Sequence, residues 1–204
     1  MEINFVFQLA IIIVSIVFHE LSHGYAAYFL GDPTAKYAGR LTLNPLKHLE
    51  WFGSLIVPLL TYMLGGVVFG WAKPVPYNPY NLKIKRYGEM IVAFAGPLSN
   101  LLIALVFSLY IRVLGEGLAT SPAGHIAVLI VLVNLTLAAF NMIPIPPLDG
   151  FKVFWGLLPY RFNRLREFIE RHKLVFLIVF LLTFSVILNP MVSFLFKLFT
   201  GIEI

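Results

Sequence analysis

Residues 10–31 read AIIIVSIVFHELSHGYAAYFLG. The stretch has the length and apolarity of a membrane-spanning helix, yet it carries two histidines and a glutamate at His19, Glu20 and His23. About 20 mostly apolar residues cross a hydrocarbon core some 30 Å thick as a helix. An ionisable side chain inside such a span costs about 2.5–3.5 kcal/mol even on a lenient insertion scale, and marks a functional site by default. Three so close together need a reason, and metal binding supplies one. His19 and His23, four residues apart, share a helix face, so both imidazoles reach one ion. Two neutral imidazoles suit zinc. Glu20 projects about 100° round the helix from His19, beside the pair, where it can take a proton from water activated at the metal.

The composition agrees with a membrane setting. Of 204 residues, 59% are hydrophobic and 12% charged, and the mean hydropathy is +0.87. Soluble domains carry about 25% charged residues, so the membrane class is favoured before any motif is read. Cysteine is absent, which excludes disulfides and thiolate metal sites. The net charge of +5 reads as an orientation signal rather than a nucleic-acid patch. The apolar run from Ile3 to Phe18 lacks a basic leader and runs into the charged motif, so it reads as a retained span rather than a cleaved signal. No internal repeat or low-complexity tract is visible.

These features predict an all-α polytopic membrane protein, one domain over residues 1–204, with four full transmembrane helices and a re-entrant or hairpin segment between the first two. The first core helix is placed at 3–30, a re-entrant or loop region at 31–86, and the second core helix at 87–114. The third, with its aspartate motif, is placed at 125–150, an interfacial basic helix at 160–173, and a C-terminal helix at 174–199, kinked at Asn189-Pro190. The stretch from Trp51 to Trp71 is ambiguous, since Pro58 and Gly65-Gly66 interrupt it. If it does not cross, thirteen Lys and Arg residues fall on one side and only Arg112 and Lys197 on the other, which the positive-inside rule favours. Irregular backbone at membrane depth must then be buried in protein or line a wet cavity. A fifth span is the alternative. The preferred arrangement puts both termini outside and the basic loops in the cytoplasm. In RFNRLREFIERHK, Phe162, Leu165, Phe168 and Ile169 share a face, which reads as an anchor at the lipid interface.

Catalytic zinc usually has three protein ligands and one open position, and the chain has two aspartates, Asp32 and Asp149. Asp32 lies in an Asp-Pro turn just past the first span. Asp149 follows Pro144, Pro146 and Pro147, which cannot continue a helix and open the backbone. It also reads as a helix N-cap before GFKVFWGLL. Depth separates these readings. At 1.5 Å per residue, His19 lies about 22 Å down the first helix, and the third helix has descended about 28 Å by Ile143. Both reach the cytoplasmic part of the bilayer, so a His19–His23–Asp149 site is geometrically possible. His48, Glu50, His125 and His172 read as interfacial or structural.

HELSH in the first span, AGPLSN in the second and NMIPIPPLDG after the third together resemble the site-2 protease family of intramembrane zinc metalloproteases. FGWAKPVPYNPYNL is similar to its compact bacterial branch. The resemblance covers nearly the whole chain, without PDZ or CBS domains. It implies one zinc ion per chain held by His19, His23 and Asp149, with Glu20 as catalytic base. It implies that Asn141 positions substrate or stabilises the reacting carbonyl. Gly96, Pro97 and Asn100 match a motif of the middle core helix. There Gly96-Pro97 would loosen the helix and Asn100 could hydrogen-bond across the bundle. It also implies a β-like membrane-associated element between the first two core spans. The partners implied are a membrane-protein substrate and the lipid bilayer of a bacterial cell membrane, with no nucleic acid. A helical substrate must unwind before it is cut, and an edge within 52–80 could pair with it. The competing reading is a zinc-binding membrane protein that does not cut, a transporter or a regulator. A transporter should string polar groups along a path, whereas here they cluster at one depth.

Overall fold

The computed structural model describes residues 5–65, 73–114 and 121–203. Helix α1 (Phe5–Phe29) carries the histidine motif. The chain then makes a short helix, α2 (Thr34–Tyr37), and after a π-helical turn at Phe52–Ile56 enters α3 (Val57–Gly65). The long α4 (Gly88–Leu114) follows, then α5 (Pro122–Asn141) and α6 (Asp149–Leu157). The amphipathic α7 (Asn163–Arg171) leads into α8 (Lys173–Thr200).

Among the described residues, three helical segments are long and apolar enough to cross a membrane: Val6–Phe29, Gly88–Val113 and Pro122–Asn141. A shorter apolar segment, Val186–Thr200, lies within α8, which runs on through Pro190. The outer faces are apolar. Val6, Phe7 and Val14 on α1, Val106 and Val113 on α4, and Leu174 and Val186 on α8 are all more than half exposed. A soluble surface does not carry apolar area on this scale, but lipid covers it without cost.

α4 is the central helix, packed against α1, α5, α6 and α8. Between α4, α5 and α8 sits the main core, with Ala104, Ile111, Val131, Leu135, Leu188 and Phe196 buried. Small residues such as Ala104 and Ala127 let the helices approach closely. At one end of the bundle, Arg112 on α4 donates to the carbonyl oxygens of Leu198 (2.7 Å) and Phe199 (2.6 Å). These are among the carbonyls that the end of α8 leaves without helical partners. Gly201, at φ 82°, closes that helix.

Several boundaries differ from the sequence-based expectation. The third core helix starts at Pro122, capped by Ser121, whose Oγ accepts from the Gly124 N–H. It stops at Asn141, just before the prolines, and Asp149 opens a separate helix after them. The proline-rich turn between them folds back tightly. A Cβ on Gly150 would lie 2.2 Å from the Met142 carbonyl oxygen, so only glycine fits there. The expected β-like element has no counterpart among the described residues. Phe52–Gly65 is helical, and residues 73–78 form neither helix nor strand. Residues 66–72 lie outside the described residues, so the path of the stretch from 51 to 71 is described only in part.

Candidate metal centre

The helix α1 presents His19 and His23 on one face, with ring centroids 4.7 Å apart. Both are buried. The start of α6 carries Asp149 to them, and its Oδ2 lies 3.1 Å from the Nε2 of each histidine. The three ligand atoms lie within 4.8 Å of one another. Tetrahedral coordination with bonds of 2.0–2.1 Å places neighbouring donors about 3.3 Å apart. Two nitrogens and a carboxylate oxygen at these separations fit a single small divalent cation. Leu148 occupies the cap position of α6, and no side-chain cap bond is made there. Asp149 therefore faces the histidines and does not act as the N-cap that the sequence also allowed.

The tautomers are set by the surrounding network. A backbone carbonyl only accepts, so the contact of His23 Nδ1 with the Val92 oxygen (2.7 Å) puts a proton on Nδ1. His19 Nδ1 lies 2.6 Å from Asn100 Oδ1. The Asn100 Nδ2 donates to the Ser15 carbonyl (3.3 Å) and to Asn134 Oδ1 (2.8 Å), so its oxygen is left facing His19. Asn134 in turn donates to Ser15 Oγ (3.0 Å) and the Ile130 carbonyl (2.9 Å). Each Nε2 is thus left free to bind an ion, with the ring orientation locked behind it. Asn100, Asn134 and Ser15 are all buried, where every polar atom must find a partner. Replacing Asn100 by alanine is expected to weaken metal binding about 10–100-fold. Asn100→Asp, which keeps the acceptor, should recover most of it. Competition with a metal chelator measures both.

Gly96 and Pro97 lie within a continuous α4. Gly96 matters for a reason that spacing does not reveal. A Cβ there would lie 2.4 Å from His23 Nε2 and 2.6 Å from His19 Nε2.

A cleft opens beside the centre, with Glu20, Pro74, Val75, Tyr77, Asn141, Pro147 and Lys152 in its wall. Glu20 borders the histidine pair, and its Oε2 accepts from the Val75 N–H at 2.8 Å. Asn141 reaches the cleft but turns its Nδ2 back to the Leu137 carbonyl (2.9 Å). Lys152 stands one turn along α6 from Asp149, its ammonium 5.0 Å from the centre of the Tyr77 ring. Burial works against its charge, but Tyr77, Asp149 and Glu89 outweigh that and hold its pKa above the usual lysine value.

Asp32, the other aspartate, takes no part in the centre. It is fully buried and accepts from the Thr34 and Asn78 N–H groups, the Thr34 hydroxyl and the Asn81 amide. His48 is likewise structural, its Nε2 2.8 Å from the Thr42 carbonyl. His125 and His172 are not part of the cluster. The sequence reading missed Ser15, Asn134, Val75 and Lys152. Asn134 carries a signal in the sequence, an amide in the middle of the apolar run LIVLVNLTL.

The sequence profile of peptidase family M50 matches residues 7–122 and 110–186. YwhC of Bacillus subtilis, named as a candidate zinc metalloprotease, is 37% identical over 203 residues, covering 94% of this chain and 90% of its own. Rip2 of Mycobacterium tuberculosis, similarly named, is 30% identical over 178 residues, covering 87% of this chain and 67% of its own. MJ0611 of Methanocaldococcus jannaschii, again a candidate zinc metalloprotease by name, is 32% identical over 152 residues, covering 73% and 69%. No solved structure matches the chain significantly.

Proposed function

The chain belongs to peptidase family M50, and from that membership we propose that it is an intramembrane zinc endopeptidase that cuts transmembrane or membrane-associated proteins. One observation carries the reading: His19, His23 and Asp149, distant in sequence, converge on one point with Glu20 beside them. The cofactor is zinc, which the two-nitrogen, one-oxygen donor set fits. When bound, zinc acts as a Lewis acid on the scissile carbonyl and lowers the pKa of water to about 7.

The rest falls to the chain. His19, His23 and Asp149 would hold the ion beside the cleft. Glu20 keeps Oε2 on the Val75 N–H and uses Oε1 to take the proton of the attacking water. It then delivers that proton to the leaving amine. The Lys152 ammonium, in the cleft wall, offers positive charge to a carbonyl oxygen that gains negative charge, and Asn141 in the same wall is placed to position the substrate.

For orientation, we keep the arrangement with both termini outside and the centre toward the cytoplasm of a bacterial cell membrane. The meeting of Arg112 with the end of α8 supports it, because it groups the C-terminal ends of α4 and α8 at one face. There the two exceptional basic residues, Arg112 and Lys197, lie apart from the other thirteen. The test removes the third ligand. Asp149→Ala is expected to lower zinc affinity by about 100-fold or more and to abolish cleavage of a membrane substrate in proteoliposomes. Full zinc occupancy in that variant would rule out the ligand set.

A further inference from the structure

The segment Pro74-Val75-Pro76 lies in the wall of the cleft beside Glu20. Proline has no N–H, so this tripeptide carries a single backbone donor, that of Val75. The residue before a proline is pushed toward extended backbone, and residues 73–78 form neither helix nor strand. The one donor meets Glu20 Oε2 at 2.8 Å.

The position of that donor does not depend on Glu20. The Arg40 guanidinium, itself buried, grips the segment at one end by donating to the carbonyls of Lys73 (2.6 Å) and Pro74 (3.2 Å). The Lys73 N–H donates to the His48 carbonyl at 2.9 Å. At the other end, the buried Asp32 accepts from the Asn78 N–H at 2.6 Å and the Asn81 amide at 2.8 Å. In between, the Val75 side chain packs against α1, where a Cβ on Gly24 would lie 3.0 Å from its Cγ1. Burying Arg40 and Asp32 is costly unless they are well paired. Arg40 gives two hydrogen bonds to this segment, and Asp32 accepts two of its four from the segment's far flank.

We infer that Val75 is a positioning residue whose N–H, fixed by the Arg40 and Asp32 clamps, aims the Glu20 carboxylate at the cleft. A glutamate has three rotatable side-chain bonds, and a free one samples many rotamers at an entropic cost when it must act. Anchoring Oε2 removes that freedom in advance and presents Oε1 alone to the water. The inference rests on Glu20 serving as the catalytic base, and it adds the device that orients it.

The experiment compares two substitutions at one position in the full-length chain, reconstituted with zinc. Val75→Pro removes the N–H at a position that already precedes a proline and so favours extended backbone. Val75→Ala keeps the N–H and loses most of the side chain. With a model transmembrane substrate, Val75→Pro is expected to lower kcat at least tenfold, with KM within threefold of wild type and one zinc per chain. Val75→Ala is expected to keep kcat within threefold. Equal losses in the two variants, or a Val75→Pro kcat within threefold of wild type, would overturn the inference. Should Val75→Pro fail to fold, the Val75 amide resonance decides. It is expected to shift in Glu20→Ala while that of Asn78, bonded to Asp32, stays put; an unmoved Val75 resonance means that the contact is absent. A wild-type chain that cuts no membrane substrate would instead remove the proteolytic reading, and it would do so before any variant is compared.

Discussion

Gly96→Ala is expected to empty the metal centre. The added methyl would lie 2.4 Å from His23 Nε2, 2.5 Å from His23 Cε1 and 2.6 Å from His19 Nε2. Neither side can yield cheaply. Gly96 sits in the middle of α4, which packs against α1, α5, α6 and α8. The His19 ring is tethered through Nδ1 to Asn100, one turn further along the same helix, and the His23 ring to the Val92 carbonyl one turn before. To clear the methyl, both imidazoles must rotate and break the bonds that set their tautomers. Overpacking of this kind costs about 1–3 kcal/mol of stability, but the larger loss is in zinc. We expect affinity to fall by about 100-fold or more, beyond the range seen when supporting groups around a site are removed. Zinc per chain after dialysis against a chelator, with circular dichroism to confirm the helices, measures it. A Gly96→Ala protein that retains one zinc per chain would mean that the helices move apart more easily than their packing implies.

Glu20→Gln is expected to lower turnover by about 10²–10⁴-fold, the usual contribution of a positioned acid–base group, while leaving zinc in place. Glutamine has nearly the same shape, and its side-chain oxygen can still accept from the Val75 N–H that now binds Oε2. The fold and the ligand set are thereby preserved, and only the capacity to take a proton is lost. Single-turnover cleavage of a membrane substrate, alongside zinc analysis, separates the two effects. Unchanged cleavage in Glu20→Gln would remove Glu20 from the role of catalytic base. The result is informative because the neighbouring substitutions act differently. Asp149→Ala and Gly96→Ala should lose metal and activity together, whereas Glu20→Gln should lose activity alone.

The parts of the site that follow a local period are legible in the amino-acid sequence. His19 and His23 share a face because a helix repeats every 3.6 residues, and Glu20 falls beside them for the same reason. Asp149 stands out because the prolines around it open the backbone near the expected depth of the histidines, although its residue type and position equally allow an N-cap. The helix boundaries are less legible. Ser121 and Pro122 form a clear start signal, yet the continuous apolar run that suggests the third helix becomes apparent only from 125. At the other end, the prolines place the helix end near Ile143, close to the observed end at Asn141, but only the structure shows that Asp149 begins a new helix. The β-like element expected before the second core helix rests on resemblance rather than on residue pattern, and the described part of that region is helical or unpaired.

By itself, then, the sequence determined the membrane class, through its apolar spans and scarce charge, and the identity of the metal-binding motif, through spacing on one helix. The tertiary structure alone decided what surrounds that motif. Asn100 meets His19 across 81 positions, Asp149 across 130, and Val75 meets Glu20 across 55. No period in the chain records such pairs, because they depend on which helix faces which and at what height. The same holds for Gly96, whose missing side chain counts only once two imidazoles are packed against it, and for Asp32, a plausible ligand in the sequence and a clamp in the fold. Residue types and their spacing specify which groups can do chemistry. Helix packing determines which of them meet.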